Sequence, residues 1–303
     1  MAVPTAASAA RVVCATAGGA ERAGIARRCA VVAIDFDETL TVSDTCGVLG
    51  SLGARAAAPG VGDARWQALV ERFGEDYAAV VPGLLPAPPL SQWRLERFQQ
   101  YVADLQGFDV MCNARLEGGA LAGISAEELQ RAASEHVAPQ PGAAAVLQQL
   151  LAESSCPGEV RVLSASWSDQ FVRAALRHHF SASPPEVTAN RLVTAADGVS
   201  TGAVEWNVAT AGDKAEWVRR WPSMDPERET DRQTETERHR DTETDRAFDA
   251  SPPPVDHSDL KVVVGDSIGD LPAMVEAGIG VIVKQSKSLR DAIAAFGLTP
   301  HPL

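Results

Sequence analysis

Short apolar runs that end in polar clusters recur along the chain. Cys29–Phe36 reads CAVVAIDF and ends in carboxylates. Val160–Leu163 ends at Ser164, Leu260–Val264 (LKVVV) ends at Gly265-Asp266, and Gly280–Val283 is a fourth run. Continuous apolarity without alternation predicts parallel strands buried on both faces. Helical periodicity fills the intervals, over Gly142–Glu153, Asp169–His179, Asp213–Trp221, Leu271–Ala277 and Ser288–Phe296. Strand–helix alternation predicts an α/β fold with a parallel sheet and helices on both faces. Ligands of such sheets bind at the carboxyl ends of the strands, which is where the polar clusters fall.

Two stretches break the alternation. Residues 46–137 read as helical, through WQALVERF, LSQWRLERFQQYVADL and SAEELQRAASEHV, with Ser125 and Glu128 spaced as a capping box. They predict a helical cap inserted after the first strand, leaving 30–45 and 138–303 as the core. Glu186–Glu205 carries β-branched residues around Asp197-Gly198 and predicts a β-hairpin.

Charge then sets two further segments apart. Residues 1–29 hold four arginines and one acid among many alanines, and read either as an organelle transit peptide or as an unstructured tail. A long apolar stretch of the secretory type is lacking there, so the expected location is a mitochondrion, a plastid or the cytoplasm. Residues 222–258 contain ten acids and five arginines in Asp225–Asp249 with almost nothing to bury. They read as a disordered insertion within the core, either a tolerated loop expansion or a docking element for a basic partner.

Across the chain, 45% hydrophobic and 22% charged residues are ordinary for a globular protein. No run is long enough for a membrane-spanning helix, and a net charge of −13 argues against a nucleic-acid binder. Five scattered cysteines with no CxxC pair support neither a disulfide framework nor a zinc site. A homo-oligomer is left open.

Four clusters carry candidate chemistry. In Asp35-Phe36-Asp37-Glu38-Thr39, two carboxylates beyond a strand can converge, one to attack an electrophile and one to move a proton. They also offer hard oxygen ligands for Mg²⁺. Gly265-Asp266-Ser267-Ile268-Gly269-Asp270 follows another strand, with Asp270 equally placed to cap the next helix. The Ser164 hydroxyl and the Ala165 N–H can bind a phosphate oxygen, although a strand-end serine also serves as a cap. Lys214 stands at a helix start, where a cation opposes the dipole unless an anion faces it.

The order DxDxT, Ser, Lys, GDxxxD resembles the haloacid dehalogenase (HAD) superfamily of phosphohydrolases, from about Val31 to the carboxyl end. The resemblance implies Asp35 as nucleophile forming an aspartyl-phosphate and Asp37 as general acid/base. It implies Thr39 as a shaper of the loop and Ser164 and Ala165 as phosphate contacts. Lys214 would offset charge, and Mg²⁺ would be held by Asp35, the Asp37 carbonyl and Asp266, with Asp270 ordering a ligand water and Lys214. Asp37 separates the chain from dehalogenases, which need no acid for a halide.

RLEGGALAGISAEELQRAA, VLSASWSDQFVRAAL and the segment from Gly265 onward are similar to the phosphatase half of plant bifunctional thiamin-salvage proteins. There, a TENA-type hydrolase is fused to a HAD phosphatase acting on thiamin monophosphate. The implied protein is a standalone phosphatase of the phosphoserine-phosphatase-like branch. Ser43 and Asp44 follow the nucleophile loop, Trp167 can stack on a ring or pack under the cap, and Glu117 is a candidate for a cationic ring. The alternatives are a phosphatase for phosphoserine, pyridoxal phosphate or a nucleotide, and a non-enzymatic scaffold.

Overall fold

The computed structural model describes residues 11–14, 31–58, 60–152, 159–181, 183–221, 261–284 and 286–302. Strand β1 is Arg11–Cys14 and β2 is Val31–Ile34, whose four residues are all buried. The next strands are β3 (Ala122–Ser125), β4 (Glu159–Leu163), β5 (Glu186–Thr188), β6 (Arg191–Thr194) and β7 (Val199–Glu205). The last three are β8 (Lys261–Gly265), β9 (Gly278–Ile282) and β10 (His301–Pro302). Seven of them form one parallel sheet in the order β10-β1-β9-β8-β2-β4-β5. The expected parallel α/β core is therefore present, with β2 in its interior between β8 and β4.

Alternate side chains of β2 enter different cores. Val32 and Ile34 join one apolar cluster with Leu147, Phe171 and Leu176. Val31 and Ala33 join the other with Leu271, Met274, Leu289 and Phe296. This two-residue period, with both faces apolar, is why the strand reads as an unbroken hydrophobic run.

The inserted segment contains helices α1 (Cys46–Ala56), α2 (Val61–Leu84), α3 (Leu95–Leu116) and α4 (Ala126–His136). Ser125 and Glu128 form the expected capping box on α4. The insertion is not purely helical, however. Strand β3 adds antiparallel to the β6–β7 hairpin, and its Ile124 N–H donates to Ser200 Oγ at 2.8 Å. Gly123, at φ 83°, and an irregular register hide this four-residue strand from any periodicity. The hairpin itself spans Arg191–Glu205 around Gly198. Glu186–Thr188, expected in it, belongs to the main sheet.

The core helices are α5 (Ala143–Ala152) and α6 (Asp169–His179) on the first cluster, and α7 (Ala211–Arg220), α8 (Leu271–Ala277) and α9 (Lys287–Ala295) on the second. The insertion packs on both sides. Leu49, Leu129 and Ala133 enter the first cluster, while Phe98, Tyr101, Leu105 and Phe108 of α3 enter the second.

Arg11–Cys14, inside the stretch read as transit peptide or tail, pairs with β9 and β10. The rest of residues 1–29 and the charged insertion at 222–258 lie outside the described residues. At the insertion's flanks, Lys261 Nζ donates to the carbonyls of Val218 and Trp221, both at 2.7 Å. A cation on the last carbonyls of α7 satisfies orphan acceptors and suits the helix dipole. It also ties the end of α7 to the start of β8.

Gly53 lets α1 lie directly on the segment before β3, since a Cβ there would stand 2.0 Å from the Ala120 carbonyl oxygen. Gly53→Ala is expected to destabilise the protein by about 1–3 kcal/mol, the usual range for overpacking. Urea unfolding measures it, and an unchanged midpoint would show that α1 does not need this approach.

Candidate active site

The site is assembled from four segments at the carboxyl end of the sheet. Asp35 continues β2, its N–H donating to the Val264 carbonyl at 2.9 Å. The chain then turns sharply, with the Leu40 and Thr41 N–H groups both returning to the Phe36 carbonyl. Glu38 takes a positive φ of 54°, rare for a residue with a side chain. Glu38 Oε1 accepts from Lys284 Nζ at 2.5 Å, which ties this turn to the segment after β9.

Lys214 comes from α7 and is only 5% exposed. Its ammonium donates to Asp35 Oδ1 at 2.9 Å and to Asp270 Oδ1 at 2.7 Å. Burial opposes a charge on this lysine, yet Asp270 and Asp35 together hold its pKa well above the usual lysine range. The cation at a helix start therefore faces the carboxylate cluster expected of it.

Asp270 uses its second oxygen locally. Oδ2 accepts from the Asp266 N–H, the Ser267 N–H and the Ser267 hydroxyl at 3.2, 3.1 and 2.9 Å. It makes no side-chain cap on α8. Gly265 is needed for this fold-back, because a Cβ there would lie 2.5 Å from the Asp270 carboxyl carbon. Asp266 Oδ1 accepts from the Thr39 hydroxyl at 3.1 Å. Thr39 thus links the Asp35 loop to the Asp266 loop.

Asp35, Asp266 and Asp270 each offer an oxygen within 4.8 Å of the others, and all three are buried. Burial first, then the Asp270 charge, raises Asp35 well above the carboxylate range and Asp266 to about 7. Three buried carboxylates around one ammonium form a hard, all-oxygen donor set that fits a divalent cation such as Mg²⁺, whose binding would displace their protons. The Asp37 carboxylate is not part of this group. Its Oδ1 accepts from Thr45 N–H and Oγ1 at 2.8 and 2.6 Å. Burial, reinforced by Asp44, lifts its pKa to about 6 despite those bonds.

Ser164 ends β4, fully buried. Its hydroxyl oxygen accepts from the Ser166 N–H at 3.0 Å, which leaves the hydroxyl hydrogen for a ligand. Ala165 is exposed, and its carbonyl accepts from Asn190 Nδ2 at 3.0 Å. Trp167 is half-buried and meets Trp66 of α2 edge to face at 6.1 Å. Ser43 and Asp44 lie exposed beyond the Asp35–Thr41 turn, with Asp44 Oδ1 accepting from the Cys46 N–H. Glu117 is exposed, its carboxylate taken by Trp206 Nε1 at 3.1 Å.

Thr45 and Asn190 were not singled out by sequence. Asn190, fully buried, accepts from the Asn207 and Val208 N–H groups and donates to the Ala165 and Val208 carbonyls. It joins the Ser164 loop to the segment leading into α7. An Asn following a buried strand is the only local signal for it.

The parallel α/β core is the fold that the motif resemblance implied. No protein-family model matches the chain. Over 293 residues it is 28% identical to "Bifunctional TH2 protein, mitochondrial" of Arabidopsis thaliana, which covers 90% of this chain and 42% of that protein. The chain thus spans less than half the length of that relative. Among solved structures it is similar to a phospho-aspartyl intermediate analogue of phosphoserine phosphatase, at 16% identity over 87% of this chain and 91% of that one, with a TM-score of 0.43. It is also similar to cytosolic 5′-nucleotidase IIIB bound to cytidine, at 15% identity over 91% and 87%, with a TM-score of 0.47. Among the described residues no helix is long and apolar enough to cross a membrane.

The raised carboxyls have a consequence for stability. Without a cation, folded Asp37 and Asp266 keep protons up to about 6 and about 7, whereas an unfolded aspartate loses its proton near 3.8. The folded state then binds more protons across that window, so stability falls as pH rises through it. With chelator present, the melting temperature is expected to be lower at about pH 8 than at about pH 5.5, with excess Mg²⁺ reducing the difference. Asp266→Asn should flatten the slope, and an equal slope in wild type and variant would refute this assignment.

Proposed function

We propose that this chain is a Mg²⁺-dependent phosphomonoesterase that hydrolyses thiamin monophosphate to thiamin and phosphate through an aspartyl-phosphate. The observation that carries the reading is Asp35 held by a buried lysine, itself anchored on Asp270, with a protonatable Asp37 two residues on. The thiamin assignment is supported by the sequence stretches shared with thiamin-salvage phosphatases and by the TH2 relative.

In this mechanism Lys214 occupies Asp35 Oδ1, and Oδ2 attacks phosphorus. The Ser164 hydroxyl and the Ala165 N–H hold phosphoryl oxygens. The ester P–O bond breaks, and Asp37 gives its proton to the leaving alkoxide. Water then attacks the aspartyl-phosphate, Asp37 takes a proton from it, and Asp35 is released as phosphate departs. Asp35, Asp266 and the Asp37 carbonyl would hold Mg²⁺, with Asp270 ordering the surroundings. When bound, that ion would neutralise the phosphoryl oxygens, the main demand of phosphoryl transfer. Ser43 and Trp167 flank the loops where the organic half of the ester would rest, with the Trp167 ring available for stacking. The mitochondrial relative supports an organelle location.

Phosphate release across a panel of thiamin monophosphate, phosphoserine, pyridoxal phosphate and a nucleoside monophosphate tests the substrate. Thiamin monophosphate is expected to give the highest kcat/KM, and a flat profile or another winner would sink the assignment. Asp35→Asn should abolish turnover, and Asp37→Asn should lower kcat by about 10²–10⁴, the usual contribution of a general acid. A wild type no faster than Asp35→Asn in saturating Mg²⁺ would overturn the phosphatase reading itself.

A further inference from the structure

Lys214 spans two carboxylates from different strand ends, so the position of the first turn of α7 sets whether its ammonium reaches both. From within, Thr210 and Asp213 form a capping box. From outside, a row of side chains on α3 of the insertion reaches the same turn. Gln106, Asp109 and Asn113 are spaced three and four residues apart, which puts them on one helix face. Asn113 Nδ2 donates to the Ala209 carbonyl at 2.7 Å, and Asp109 Oδ2 accepts the Ala211 N–H at 3.0 Å. Gln106 Nε2 lies 3.4 Å from Thr210 Oγ1.

The contact has been given room. A Cβ on Gly212 would stand 2.0 Å from Gln106 Nε2. Beside this polar row, α3 presents Tyr101, Leu105 and Phe108 to the apolar core, so the helix is fixed to the core face and not free over the site. A carboxylate at the α7 amino terminus also complements the positive end of the helix dipole, where Lys214 adds further positive charge. Ala211 is the first residue of α7, and its N–H has no partner within the helix.

We propose that Asp109 is a positioning residue for Lys214. Through the Ala211 N–H it fixes the first turn of α7, so that the ammonium reaches Asp35 and Asp270 together. The insertion then helps to build the catalytic centre. The effect on turnover rests on the phosphatase reading above, while the effect on Lys214 itself does not.

The test uses the full chain with Asp109→Ala, Asp109→Asn, Lys214→Ala and the Asp109→Ala/Lys214→Ala double variant. The readouts are steady-state phosphate release and the rate of reductive methylation of Lys214, followed by mass spectrometry. A misplacement of this kind should lower kcat about 10- to 100-fold in Asp109→Ala with KM nearly unchanged. Lys214 methylation should rise at least about tenfold as the ammonium leaves its two partners. Asp109→Asn, which keeps an acceptor oxygen, should recover most of both. In the Lys214→Ala background, Asp109→Ala should cost nothing further. Lys214 equally protected in wild type and Asp109→Ala, or losses that multiply in the double variant, would overturn the proposal. Amide exchange in the wild type needs no variant. The Ala211 N–H should exchange as slowly as interior amides of α7, and fast exchange would also overturn the proposal. If the wild type releases phosphate from no ester, the phosphatase reading fails, and methylation and exchange still decide the role of Asp109.

Discussion

The placement of one buried ammonium governs this site. Asp35, Asp266 and Asp270 lie within 4.8 Å of one another, and Lys214 is the cation bonded to two of them. A lone buried carboxylate is costly, and three together would protonate unless compensated. Lys214 offsets part of that repulsion. The remainder makes the cluster an oxygen donor set that fits a divalent cation.

Around that interaction the rest of the architecture acts as a positioning frame. The parallel sheet brings the ends of β2, β4 and β8 side by side, which no local segment could do. Short side-chain bonds then fix each loop. Thr39 joins Asp35's turn to Asp266, Thr45 holds Asp37, Asn190 joins the Ser164 loop to the approach to α7, and Asp270 folds back on Asp266 and Ser267. Lys261 ties the far end of α7 to the start of β8.

Much of the fold was legible because it depends on local pattern. Asp169–His179 and Leu271–Ala277 were bounded as observed, since amphipathic period and flanking polar residues coincide. The strands β2, β4, β8 and β9 showed as apolar runs for the same reason. Strands β1, β3 and β5 were missed or misassigned, being three or four residues long and defined by what they pair with. The insertion read as purely helical because nothing in Ala-Gly-Ile-Ser announces a strand until Ser200 and β7 supply its partners.

By itself the sequence determined the chemical inventory: which carboxylates, hydroxyl and ammonium stand at strand ends, in which order. Those groups follow strands directly, so their neighbourhood is set by a few residues. Only the tertiary structure decided what each one touches. It placed Lys214 between Asp35 and Asp270, took the Asp37 carboxylate out of the metal cluster and gave it to Thr45, and set Asp109 against Ala211. The Lys214 and Asp109 contacts join residues tens to hundreds of positions apart. Hydrogen bonds of 2.6–3.0 Å depend on how sheets and helices pack, and residue spacing along the chain does not encode that.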